Sequence, residues 1–139
     1  MISQLTIQNF GLIDKMTVEL AGGLNIFTGE TGAGKSILID ALRFALGERL
    51  VPSLIRDQKL PCMVEAVFEL SNKNIKDFPD LGEYISDEEK NVIINRTVSP
   101  DGKNRVKLNG FTITVSQLKA IGDHLVDFHG PNDHQMLLS

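Results

Sequence analysis

An α/β domain with a mixed sheet, part of it antiparallel, is the fold class that three observations predict. A short apolar run, "LNIFTG", passes into a glycine-rich loop and then into one long apolar helix. Alternating apolar segments outnumber helical ones on both sides of that helix. Two turn signals, "SPDG" and "NG", join neighbouring segments in the way antiparallel strands are joined. Regular strand-helix alternation, the mark of a plain doubly wound domain, is missing.

Each element has its own signal. "ISQLTIQN" alternates imperfectly through Ile2, Leu5 and Ile7 and predicts a first strand. "IDKMTVEL" predicts a second, with Met16, Val18 and Leu20 on one face, and "AGG" turns the chain into the third, "LNIFTG". From Ser36, "SILIDALRFALG" is apolar almost all round, which predicts a helix buried on several sides, capped by a left-handed Gly47. "CMVEAVFEL" at 62–70 is a further strand. Residues 71–90 carry six acids and three lysines, broken by Pro79 and Gly82, and predict a solvated connection with short helical pieces. "NVIINRTV" and "KNRVKLN" flank "SPDG", where Pro100 pre-sets its dihedral and Gly102 accepts a positive one. Asn109-Gly110 is a second tight turn. Thr114 and Gln117 form a capping box for a short helix through Leu118 and Ile121, which Gly122 is expected to close, and "LVDFHG" predicts a last strand.

A chain of 139 residues is long enough for one domain with a real core. Its net charge of −4 advertises no nucleic-acid surface, so any such contact must be local. The single cysteine, Cys62, cannot close an internal disulfide, which suits a reducing compartment, and its place in a strand predicts a small core side chain. "MISQLTIQNF" has no basic segment followed by an apolar one, and no apolar run approaches the ~20 residues of a membrane span. The expected location is the cytoplasm, with no membrane partner.

The chemistry concentrates in "GETGAGKS". Gly29, Gly34, Lys35 and Ser36 fill every fixed position of G-x-x-x-x-G-K-[ST], with a strand before and a helix after. Glycines let successive main-chain N–H groups turn inward as an anion nest, and the helix adds the positive end of its dipole. On this reading Gly29, Glu30, Thr31, Gly32, Ala33, Gly34, Lys35 and Ser36 bind the phosphates of ATP. Lys35 reaches the β- and γ-phosphates and the Ser36 hydroxyl ligates Mg²⁺. The fold class narrows to a P-loop NTPase.

"LTIQNFGLID", "GLNIFTGETGAGKSILIDALRFALGER" and "LVDFHGPNDHQMLL" together resemble the N-terminal head segment of the RecN family of bacterial repair proteins, within the SMC-like branch of the ABC ATPases. The resemblance implies that residues 1–139 are the N-terminal part of an ATPase head whose C-terminal half supplies the signature motif, the Walker B acid and the catalytic glutamate. It implies Mg-ATP held between two heads in a homodimer, DNA engaged by the full-length protein near the nucleoid, and a role in double-strand-break repair and recombination. No catalytic residue is expected within this stretch, and hydrolysis would need the complete, dimerised protein. The family places a glutamine after "HG" in the loop that senses magnesium and the γ-phosphate. Pro131 stands there, leaving Gln135 as the candidate sensor, with His129 or Asn132 as substitutes. Alternatives are another SMC-like or RecF-like head, a P-loop kinase, and a binding module that never turns over.

Lesser candidates have blander readings. His124, His129 and His134 recur every five residues, a spacing that suits neither a helix face nor alternate strand positions, so ordinary histidines are expected. Arg43, Arg49, Arg56 and Lys59 predict a solvated basic face, with contact to phosphate across a dimer or on DNA as the sharper reading. Phe10, after Asn9, is expected in the core rather than under an adenine, and Asp40 on the helix surface rather than on a magnesium.

Overall fold

Alternation of apolar and polar residues builds one six-stranded sheet in the computed structural model, which describes residues 2–19, 32–69 and 91–125. The strands are β1 (Ile2–Phe10), β2 (Ile13–Glu19), β3 (Cys62–Glu69), β4 (Asn91–Val98), β5 (Asn104–Leu108) and β6 (Phe111–Ile113). Their order is β2-β1-β3-β4-β5-β6, and every neighbouring pair is antiparallel. This is the antiparallel part of the expected sheet. The strand expected at 24–29 and the connection at 71–90 lie outside the described residues, as does 126–130 of the expected last strand.

Among the described residues two α-helices, α1 (Gly32–Ala45) and α2 (Val115–Leu125), complete the core, and one short 3-10 turn spans Pro52–Leu54. Val64, Ala66 and Phe68 of β3 and Val92, Ile94 and Val98 of β4 are buried with Ala41, Leu42, Phe44 and Ala45 of α1 and Leu118 and Ile121 of α2. Each large side chain so enclosed stabilises the fold by roughly 1.5–3 kcal/mol. The intervening residues are mixed: Met63, Val67 and Ile93 are apolar, while Glu65, Asn95 and Lys107 sit in one cross-strand row, and the Asn95 amide donates to the Glu65 carboxylate at 3.2 Å.

The predicted turns form as their residues dictate. Gly102 has φ +86 and donates its N–H to the Ser99 carbonyl at 2.8 Å. Asn109 and Gly110 both have positive φ, 50° and 87°, the conformation of a two-residue hairpin. In the capping box, the Thr114 N–H donates to Gln117 at 2.9 Å and the Gln117 N–H donates to the Thr114 hydroxyl at 3.1 Å.

Four expectations change. The strand β2 lies at the sheet edge, so only Val18 is buried and Met16 is 40% exposed. Helix α1 starts at Gly32, inside the glycine-rich motif. It is buried mainly from Ala41 onwards, while Ile37, Leu38 and Ile39 are half-covered by the described residues. Gly122 does not end α2, which continues to Leu125, itself expected to open a strand. A Cβ at Gly122 would lie 2.6 Å from the Leu46 carbonyl oxygen, so glycine is required there for close approach of the two helices.

Candidate nucleotide-binding site

The N-terminal end of α1 carries the motif. Gly32, Ala33, Gly34 and Lys35 form its first turn and Ser36, exposed, begins the second. The first four N–H groups of a helix have no intrahelical acceptor, and this first turn contains no acid to occupy them. Open donors, the positive dipole end and the absence of a negative side chain fit an anion. Of the expected ligands, Gly29, Glu30 and Thr31 fall outside the described residues, as do Gln135, His129, Pro131, Asn132 and His134. Asp40 is exposed on α1 and Phe10 is fully buried, both as expected.

Asn9 organises the sheet end beside this turn, a role the sequence did not disclose. Its φ of 58° and its burial, 3% exposed, make it a left-handed core asparagine. The side-chain amide donates to the carbonyls of Asp57 (2.9 Å), Leu60 (3.0 Å) and Pro61 (3.2 Å), and its oxygen accepts the Asp57 N–H at 2.7 Å. Gly11, at φ +59, donates its N–H to the Leu54 carbonyl and sits against Ile37 of α1. The loop 54–61 is thereby tied to the end of β1, and exposed Arg56 is held there by its N–H bond to the Asn9 carbonyl at 3.3 Å.

The opposite end of α1 is closed. Gly47 (φ +105) donates to the Phe44 carbonyl at 3.2 Å and Glu48 N–H to the Arg43 carbonyl at 3.0 Å, the paired bonds of a Schellman cap. Arg96, 3% exposed, adds Nη1 bonds to the carbonyls of Phe44 (2.8 Å) and Glu48 (2.6 Å) and an Nε bond to Asn104 (3.1 Å). Its guanidinium carbon stands 4.2 Å from the centre of the Phe44 ring. Burial lowers the Arg96 pKa to about 10, opposed by nearby Cys62, so it stays charged at neutral pH. Burial raises the Cys62 thiol to about 11, opposed by Arg96, leaving it an inert core side chain as expected. Of the basic stretch, Arg49, Arg56 and Lys59 are exposed and Arg43 is half-buried. No group of histidines, cysteines and acids able to hold a metal occurs among the described residues.

The AAA domain family matches residues 4–136, nearly the whole chain. The chain belongs to this family. It is 37% identical over 142 residues to the DNA repair protein RecN of Vibrio cholerae, covering 99% of this chain and 25% of that one. To RecN of Bacillus subtilis it is 35% identical over 142 residues, covering 99% and 24%. The chain thus spans about a quarter of the length of the curated relatives it matches. Among solved structures, the Smc head domain with a coiled coil and joint from Pyrococcus yayanosii superposes with a TM-score of 0.64 at 26% identity, covering 95% of this chain and 27% of that one. The resemblance to RecN and the P-loop head fold read from the sequence are both borne out. Among the described residues no helix is long and apolar enough to cross a membrane.

Proposed function

We propose that this chain is the N-terminal part of a RecN-like ATPase head, which binds Mg-ATP through residues 29–36. The observation that carries the reading is the start of α1 at Gly32, within the motif and with no acid in its first turn. Main-chain N–H groups of that turn receive phosphate oxygens, and the Lys35 ammonium neutralises charge between the β- and γ-phosphates. Ser36, exposed at the head of the second turn, offers its hydroxyl to Mg²⁺. A metal held there would supply Lewis-acid withdrawal of charge from the phosphates. Gln135 serves as sensor of that metal and of the γ-phosphate.

Similarity to RecN supports a role in DNA double-strand-break repair and recombination in the bacterial cytoplasm, at the nucleoid. It favours that role over a chromosome-organising head or a small-molecule kinase. Hydrolysis belongs to the complete protein: the C-terminal half of the same head, a second head in a homodimer, and DNA reached through the full-length chain. Calorimetry on Lys35→Ala tests the site. ATP affinity is expected to fall on the order of 100-fold or more, as loss of a charge-assisted contact of about 3 kcal/mol requires, with the unfolding midpoint unchanged. Undiminished affinity in a folded Lys35→Ala protein would remove the lysine from its role.

A further inference from the structure

Beyond the C-terminal end of α1 a cleft of about 560 Å³ opens between the loop following the helix, the β4–β5 turn and the start of α2. Its polar lining is Arg49, Arg96, Lys119, Gln58, Ser99 and Asn104, and among the described residues no aspartate or glutamate lines it. Three cations without an acid stand out in a chain with 18 acids and 14 basic residues. Arg49 and Lys119 are exposed, and their side chains make no ion pair or hydrogen bond among the described residues. Arg96 is different: Nε and Nη1 are spent on Asn104, Phe44 and Glu48, which fixes the guanidinium, while Nη2 takes part in none of these bonds. The helix carbonyls that would repel an anion here are already covered by Arg96. Asp101, the acid of the adjoining turn, faces Lys103 at 3.9 Å and is not part of the lining.

We infer that this cleft binds a phosphate-bearing anion, with Arg96 as a fixed guanidinium at its floor and Arg49 and Lys119 as two mobile arms. A planar guanidinium held by its own bonds presents its remaining edge without further ordering, which suits phosphate oxygens. The site is separate from the nucleotide loop. The two lie at opposite ends of a 14-residue helix, roughly 20 Å apart at about 1.5 Å per residue. It therefore stands whether or not residues 29–36 bind ATP.

The test is an amide NMR titration of the whole chain at low salt, with pyrophosphate as probe, in the wild type and in Lys35→Ala. In both, the N–H signals of Gly47, Arg49, Gly102 and Lys119 are expected to shift together. The double variant Arg49→Glu/Lys119→Glu should weaken that response about tenfold or more. If it fails to fold, Arg49→Gln/Lys119→Gln takes its place. A second arm uses a short DNA duplex: shifts at the same amides, displaced by pyrophosphate, identify backbone phosphate as the source, and pyrophosphate shifts without duplex shifts identify a free phosphorylated ligand. Pyrophosphate shifts confined to residues 29–36, or cleft shifts undiminished in the charge variants, overturn the inference.

Discussion

The two ends of α1 solve opposite problems. At the start, the N–H groups of Gly32, Ala33, Gly34 and Lys35 have no acceptor within the helix, and the first turn contains no acid. At the finish, the Arg43, Phe44 and Glu48 carbonyls are taken up by the Gly47 and Glu48 N–H groups and by the buried Arg96. Helix termini carry orphan groups as a matter of geometry, and leaving them unpaired costs energy. The C-terminal end spends a buried arginine on its carbonyls, whereas the first turn of the helix carries no acid of its own, which is consistent with the proposed anion site there.

Four substitutions sharpen this contrast. The largest effect is expected from Arg96→Met, which leaves the Phe44 and Glu48 carbonyls without their donor and removes the contact with the Phe44 ring. A loss of about 3–4 kcal/mol in chemical denaturation is expected, and a loss below about 1 kcal/mol would mean the closed end needs no arginine. Next is Gly47→Ala. Its φ of +105° strains any L side chain, and the new Cβ would stand 2.8 Å from the Lys119 Cα, for about 2–4 kcal/mol in the same measurement. Gly122→Ala meets the Leu46 carbonyl oxygen at 2.6 Å but gains helix propensity, so about 1–2 kcal/mol is expected, with ATP affinity unaltered. The smallest is Ser36→Ala at the open end: about tenfold weaker Mg-ATP binding, roughly 1.4 kcal/mol. Stability should hold, and magnesium-free ATP should bind both proteins alike. A stability loss matching that of Gly47→Ala would show that Ser36 is a structural residue.

Much of this was legible from local chemistry. Pro100 and Gly102, Asn109-Gly110, the Thr114–Gln117 box and the Gly47 cap each act within a few residues, so their conformations follow from their own neighbours. What escaped depends on partners far along the chain. Gly122 reads as a helix stop until Leu46 is brought against it. Asn9 reads as the end of a strand until residues 54–61 fold back onto its amide. Arg96 did leave a trace: in "NVIINRTV" it keeps step with Val92, Ile94 and Val98, so the period of two places it on the buried face. Met16 and Val18 share a face by the same arithmetic, but only a central strand has core on that side along its whole length, and β2 is an edge. At the candidate site, the start of α1 inside the motif and the position of Arg56 beside the sheet end came only from the structure, the latter through the Asn9 anchorage.

The contact of Gly47 with Lys119 and of Gly122 with Leu46 puts main chain against main chain, with no side chain between to repack. Such a joint behaves as a weld. A tilt of α1 about its C-terminal end has either to carry α2 with it or to open a gap between the two main chains.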